Sequence, residues 1–368
     1  MNDRIARLTQ AMQAANLDML ALNPGASLTY LTGLHFHTSE RPTVFLLTPR
    51  KTPVIILAAL EANKLKNSSS PLEPVTYGDN PHTWQTAFME AREKLGIAPP
   101  RVGVEPTALR FMELKYLQAA FPESEFISAE DILASLRMSK DESEVENMRQ
   151  AAKIAQEAFL ATLPTIKPGI SELTIAAELS AQLLRHGSQS EFPFPPIVSS
   201  GPFNSADPHA VPSQRLVQSG DVIVIDWGAR YQNYASDITR CVAVGVLSPE
   251  VENIANIVIQ ANAAGRAACK PGVSAGSIDD AARRVIEKAG YGPHFNHRVG
   301  HGLGMEAHES PYMFAENDYL LIPGNVFTVE PGIYISGTGG VRIEDDMLIT
   351  ADGAESLTTL PRELFRVG

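Results

Sequence analysis

The chain has 368 residues, 44% of them hydrophobic, and carries a formal net charge of -12 with a sequence pI near 5.3. That length exceeds one ordinary core and points to two well-filled domains, while the acidic balance, with no basic stripe, excludes nucleic acid and an anionic membrane as partners. No apolar run approaches the roughly 20 residues that span a bilayer, Met1–Leu20 is a charged amphipathic pattern without a signal-peptide core, and Cys241 and Cys269 are too few to staple a secreted fold, so a cytosolic protein is expected.

In the first segment, Arg4–Ala15 has helical spacing, Met19–Leu22 and Thr43–Leu47 read as strands, and Val54–Leu57 is a short apolar strand. A helix over Pro81–Gly96, a strand at Val102–Val104 and a helix over Ala108–Ala120 extend an α/β alternation of about 135 residues. Ser139-Lys140-Asp141-Glu142 then opens the long helical stretch Glu142–Leu163. The domain boundary is therefore expected near Arg137, with residues 1–136 on one side and 137–368 on the other.

The second segment contains an internal repeat. Lys167-Pro168-Gly169-Ile170-Ser171 opens a helical run closing at His186-Gly187, and 103 residues later Lys270-Pro271-Gly272-Val273-Ser274 opens another, closing at Ala289-Gly290. Between them, Asp221–Ala229 and Tyr234–Val244 read as the arms of a hairpin with Arg230–Asn233 as a four-residue loop. In that register Asp226 opposes Asp237, with Cβ atoms roughly 4.5–5.5 Å apart, so the pair needs a shared proton or a cation. A slipped strand would instead leave each Asp in water.

The repeat carries the pattern forward, because Glu330 stands 104 residues after Asp226 and Glu344 stands 107 after Asp237. With a loop centred on Gly337, Glu330 opposes Glu344, and Pro331 is the residue that would bulge the strand. Four converging carboxylates carry about four negative charges, which no dry site tolerates without metal. Two divalent ions roughly 3.5–4 Å apart would match that charge and activate water. His301, in Gly300-His301-Gly302-Leu303-Gly304, is the candidate nitrogen ligand, since glycines let the backbone crowd a site, although a lone histidine can equally be structural. Such a donor set suits manganese, cobalt or zinc.

These residues stand in VIDWGARYQNYASDITR, HRVGHGLGMEAHESP, FTVEPGIY and GVRIEDD, which resemble in order and spacing the signature segments of the aminopeptidase P, prolidase and creatinase family. The motifs cover most of residues 140–368. The resemblance implies an α+β, pseudo-symmetric pita-bread catalytic domain behind an α/β, creatinase-like N-terminal domain, assembled as a homodimer. It implies Asp226 as ligand of one metal, His301 and Glu330 as ligands of the other, and Asp237 and Glu344 bridging both. It further implies catalytic roles for His209 near the substrate, for His308 toward the oxyanion, and for Glu330 as proton relay. Arg342, on the strand face of Glu344, would orient carboxylates or touch substrate, and Tyr234 and Tyr334 could do likewise. His35, His82, His186, His294 and His297 lack a matched context, and Trp84 and Trp227 read as packing.

The activity so implied is metal-dependent hydrolysis of an Xaa-Pro bond at the N-terminus of short proline-containing peptides, aminopeptidase P-like. The alternatives are a prolidase restricted to dipeptides and, from another class, a catalytically silent binding protein. The preference for longer peptides rests on a gap. A dipeptidase needs a basic partner for the terminal carboxylate, and no Lys or Arg lies between Glu309 and Thr328. Prolidases that resemble this chain carry an arginine in that stretch, or use a loop of the N-terminal domain that follows a Tyr-Leu-Thr-Gly strand end and reaches across a dimer. Here Tyr30-Leu31-Thr32-Gly33 is followed by His37-Thr38-Ser39-Glu40-Arg41, which makes Arg41 a candidate substrate contact as well as a candidate for a surface salt bridge with Glu40.

Overall fold

Six short apolar runs of the first unit form one mixed sheet: β1 Met19–Leu22, β2 Val44–Leu47, β3 Val54–Ala58, β4 Glu73–Tyr77, β5 Arg101–Val104 and β6 Glu125–Ser128, in the order β4-β3-β2-β1-β5-β6. The structure is a computed structural model that describes residues 3–368, and it divides into this unit, which ends at Arg137, and a second, Met138–Gly368. Strand β1 is antiparallel to β2 and parallel to β5, and its run of four apolar residues is buried throughout, as a central strand covered on both faces requires. The unit's helices are α1 Asp3–Ala14, α2 Ala26–Thr32, α3 Trp84–Leu95, α4 Phe111–Ala120 and α5 Glu130–Arg137. Trp84 and Phe88 of α3 and Leu117 of α4 pack on Met19, Val44 and Ile56 of the sheet.

Two expectations change here. The helix expected from Pro81 starts at Trp84, because Pro81–Thr83 is a tighter turn whose first N–H is taken by the Asn80 side chain. Tyr30-Leu31-Thr32-Gly33 ends a helix and not a strand: Gly33 closes α2 at φ 71° and returns its N–H to the Thr29 carbonyl. Six of the seven residues of α2 are buried, so no polar face marks it as helical.

The second unit is built from two similar halves. The first contains α6 Glu142–Thr162, α7 Glu172–Arg185, β7 Ile197–Ser200, α8 Gly201–Asn204, β8 Val222–Trp227, β9 Arg230–Tyr231, β10 Tyr234–Ala235 and β11 Ile238–Val244. The second contains α9 Pro249–Ala268, α10 Ala275–Lys288, β12 Gly300–Gly302, β13 Glu309–Met313, β14 Val326–Val329, β15 Gly332–Ile335, β16 Gly339–Arg342 and β17 Asp345–Ile349, followed by β18 Ala354–Ser356 and β19 Phe365–Val367. Asp141 caps α6 in a reciprocal box with Glu144. Ser171 and Ser274 cap α7 and α10 through their side chains. The repeat is structural: Ser171 bridges Leu216 as Ser274 bridges Leu320, and Gly169 donates to the Val217 carbonyl as Gly272 donates to that of Leu321.

Strand β8 faces two cores. Val222 and Val224 pack with α9 and α10, whereas Ile223, Ile225 and Trp227 pack with α6 and α7. Asp226 has the parity of the first set, and Asp237 and Thr239 share its face through β11, so these polar groups point into the seam between the halves.

The first hairpin differs from expectation in its turn. Gln232 and Asn233, at φ 47° and 69°, form a two-residue turn, with Tyr231 opposite Tyr234. The register therefore moves by two residues, Asp226 opposes Thr239, and Asp237 lies diagonally across on the same face. In the second hairpin Val329 opposes Asp345 and Gly332 opposes Arg342, so Glu330 faces Glu344 in the expected register. The ladder opens at that point: Glu330 donates its N–H to the Val299 carbonyl and Glu344 donates its N–H to that of Thr239.

Arg240 holds this seam. Its side chain is fully buried and donates to the carbonyls of Thr239, Glu344, Leu360 and Pro361 and to Asp345 Oδ1 at 2.8 Å. Asp345 also pairs with Arg362 and Arg266; burial would raise its pKa, but Arg240 and Arg362 outweigh that and hold it below the ordinary value. We expect Arg240→Met to lower stability by about 3–5 kcal/mol, because it leaves buried acceptors and a carboxylate short of donors. Urea unfolding measures this directly, and an unchanged midpoint would contradict the role given to Arg240.

Candidate metal centre

Four carboxylates meet in the seam. Oxygens of Asp226, Asp237 and Glu344 lie within 4.8 Å of one another, and so do donor atoms of His301, Glu330 and Glu344. Asp226, Asp237 and Glu344 are buried, yet Asp226 Oδ1 and Asp237 Oδ1 have no hydrogen-bond partner among the described residues. Among the described residues one guanidinium enters the cluster: Arg342 Nη2 reaches Asp226 Oδ2 at 2.5 Å, while its Nη1 donates to the Tyr334 hydroxyl and the Pro208 carbonyl. Thr239 donates its hydroxyl to Glu344 Oε2 at 2.6 Å.

His301 faces the carboxylates through Nε2, 3.2 Å from Glu330 Oε1 and 3.7 Å from Asp237 Oδ2. Its Nδ1 lies 3.1 Å from the Gly302 carbonyl, which can only accept, so in the neutral ring Nδ1 carries the proton and the Nε2 lone pair points at the carboxylates. The flanking glycines are required by close approach. A Cβ at Gly300 would lie 2.0 Å from the Thr328 carbonyl oxygen, and one at Gly302 would lie 2.3 Å from that of Ser310.

The electrostatics follow. Burial first, then neighbouring carboxylates, raise Asp237 and Glu344 well above the ordinary range. Burial also raises Asp226 against the opposing pull of Arg342. Glu330 moves the other way: burial would raise it, but with no cation bound a proton on His301 Nε2 can take the metal's place, and the hydrogen bond and charge it brings to Glu330 outweigh that burial. A lone-pair nitrogen, clustered oxygens and two orphaned buried oxygens together fit a divalent cation, which would satisfy them all.

A cavity of about 1000 Å³ opens over the cluster and is lined by these residues together with His209, His308, Asn296, His297 and Arg298. Its apolar wall is formed by Phe194, Pro195, Pro196, Ile197, Val211 and Pro212. The His308 ring packs against that of His301, tilted by 38° with centroids 3.8 Å apart, and burial followed by the charge of His301 drops its pKa to about 4. His209 lies on the wall and, among the described residues, makes no hydrogen bond to the carboxylates; it donates its backbone N–H to Asp207 Oδ1.

Other candidates lie elsewhere. Arg41 belongs to the first unit, where Nη1 meets Glu40 at 2.5 Å and Nη2 meets Asp79 at 2.7 Å. Tyr234 donates to Glu144 at 2.6 Å, and Trp227 is packing, stacked on Phe159 with ring centroids 4.6 Å apart. Three further residues border the site: His297, whose sequence context matched nothing, and Arg298 and Asp346, to which the sequence assigned no role. His297 Nε2 lies 3.1 Å from the Tyr334 hydroxyl, Arg298 sits over the Tyr312 ring at 4.3 Å, and Asp346 Oδ2 accepts the Asp237 N–H at 3.2 Å. Arg298 stands three residues before His301 within the matched segment HRVGHGLGMEAHESP, which was its available signal; His297 and Asp346 meet their partners only in the fold.

Residues 146–351 match the model of metallopeptidase family M24, and residues 4–139 match that of the creatinase/prolidase N-terminal domain. The chain is 33% identical over 366 residues to an Xaa-Pro dipeptidase of Pyrococcus horikoshii, covering 99% of each. It is similar in structure to an Xaa-Pro dipeptidase from Bacillus anthracis (TM-score 0.89, 34% identity, 99% of each chain). It resembles an X-Pro aminopeptidase from Thermotoga maritima to a comparable degree (TM-score 0.87, 34% identity, 99% of each chain).

The raised carboxylates fix the pH dependence of the cation-free protein. The folded chain keeps protons that the unfolded chain releases above its ordinary carboxylate pKa of about 4, so stability falls as pH rises from there toward the raised folded values. Bound cations displace those protons and remove this loss. Urea midpoints measured after chelation should therefore fall from about pH 5 to about pH 8, while those of the metal-loaded protein stay level. Parallel profiles for the two forms would count against the cluster as a cation site.

Proposed function

The chain belongs to metallopeptidase family M24, with a creatinase/prolidase N-terminal domain ahead of a pita-bread catalytic unit, and on that premise we propose that it hydrolyses the Xaa-Pro bond of dipeptides and short peptides. The observation that carries the reading is the buried four-carboxylate cluster with its two orphaned oxygens beside the His301 lone pair. Asp226 would hold one divalent cation, His301 and Glu330 a second, and Asp237 and Glu344 would be shared. Manganese, cobalt or zinc fits this set. Bound there, such ions lower the pKa of water and polarise a carbonyl oxygen.

The chain's own groups supply the rest. Glu330, ionised at neutral pH, accepts a proton from the attacking water and delivers it to the departing prolyl nitrogen. His308, neutral at that pH, offers a donor to the developing oxyanion. His209 and the apolar wall hold the substrate, the proline-rich wall being suited to a prolyl ring. Arg342 orients Asp226 and has little freedom to bind substrate. The reading also includes a cytosolic homodimer, and the two free, buried thiols of Cys241 and Cys269 are compatible with a reducing compartment.

Arg298 favours the dipeptide. It is the cavity-lining guanidinium with no ion pair among the described residues, and a terminal carboxylate of Xaa-Pro would complete it. The second reading, an aminopeptidase P-like preference for tripeptides and longer, is favoured by the likeness to the Thermotoga maritima enzyme.

Hydrolysis of Ala-Pro and Ala-Pro-Ala separates the two. The dipeptide reading expects Ala-Pro to be the better substrate and Arg298→Ala to raise its KM by about 10-fold or more with kcat retained. Faster cleavage of Ala-Pro-Ala, with Arg298→Ala silent, would transfer the assignment to the second reading. His308→Ala should lower kcat by about 10²–10³ with metal content unchanged; loss of metal in that variant would show that His308 is a ligand.

A further inference from the structure

Glu172, at the first position of α7, has no exposed surface. Its oxygens accept from the amide and hydroxyl of Ser200, both at 2.7 Å, and from the amide and hydroxyl of Ser213 at 3.1 and 2.6 Å. The side-chain amide of Asn204 spans both oxygens at 3.1 and 3.0 Å. The Ser200 hydroxyl in turn accepts from Arg215, which pairs with Asp221. An ionised carboxylate is retained out of water only where donors fill its lone pairs. Here the donors come from both ends of a single segment, residues 200–213.

That segment carries His209 and the cavity wall Pro208–Pro212. Its middle is tied to the second hairpin, through the Arg342 contact to the Pro208 carbonyl and the Gly340 N–H to Ser205 Oγ at 2.9 Å. The His209 ring has no hydrogen bond among the described residues, so the backbone of the segment alone sets its place. The other half uses the same device. Asp279 of α10, also fully buried, accepts the Val299 N–H at 2.8 Å and pairs with Arg283, which donates to the carbonyls of Phe295 and His297 and so fixes the opposite wall.

We propose that Glu172 is a positioning residue: it clamps both ends of the 200–213 segment and thereby holds His209 in the wall of the cavity over the carboxylate cluster. The kinetic half of its test rests on the Xaa-Pro peptidase reading, and the other half does not. Glu172→Gln keeps the shape but turns one acceptor into a donor facing donors. On Ala-Pro it should lower kcat by about 10- to 10²-fold with metal content unchanged. In a His209→Ala background the same substitution should change kcat by less than about twofold, because the two act through one group. Amide hydrogen exchange should speed up across residues 201–213 and stay unchanged in α6 and β8. Equal losses with and without His209, or unaltered exchange in the segment, would overturn the proposal. If Glu172→Gln does not fold, Ser213→Ala removes one donor from one end and should give the same pattern in weaker form. If the wild type cleaves no Xaa-Pro peptide, the peptidase reading fails, and the exchange result alone decides the clamp.

Discussion

Mutual repulsion among four carboxylates in a buried seam is the constraint that the catalytic unit is built to withstand. Each half contributes a hairpin bearing two of them, one on each arm, and the seam closes through groups that are not themselves in the cluster. Glu344 donates its backbone N–H to Thr239, Asp237 donates its own to Asp346, and Arg240 binds the carbonyls of Thr239 and Glu344 together. Arg342 compensates one charge at Asp226. The remaining charge is met by protons or by cations, so the affinity of the site for divalent ions and the stability of the fold are two aspects of one balance.

The duplication of the unit explains why the cluster lies where it does. Strand β8 is covered on both faces, and alternation along it sends Ile223, Ile225 and Trp227 to one core and Val222, Val224 and Asp226 toward the other half. A carboxylate at that parity has no route to solvent except the cavity. The buried carboxylates Glu172 and Asp279, each near the start of the second helix of its half, then fix the two loops that wall this cavity.

Much of this was legible in the sequence because parity tolerates error. The first hairpin has a two-residue turn at Gln232–Asn233 and not a four-residue loop, yet a shift of two residues keeps Asp226 and Asp237 on one face. The Lys-Pro-Gly repeat likewise marked equivalent helix starts. Residues defined by distant partners were not legible. Asp346 matters through the Asp237 amide, His297 through Tyr334, and Glu172 through Ser200 and Ser213, and no local pattern announces those meetings. Helix α2 escaped notice because burial on nearly all sides erased its period. Arg41 looked available in the sequence and is engaged by Glu40 and Asp79.

The most direct test is calorimetric titration of the chelated protein with Mn²⁺ near neutral pH, in two buffers of different ionisation enthalpy. If the raised carboxylates Asp237 and Glu344 are cation ligands, binding competes with their protons, and the apparent enthalpy will differ between the buffers in the direction of net proton release. Absence of binding, or binding with the same enthalpy in both buffers, would contradict the account.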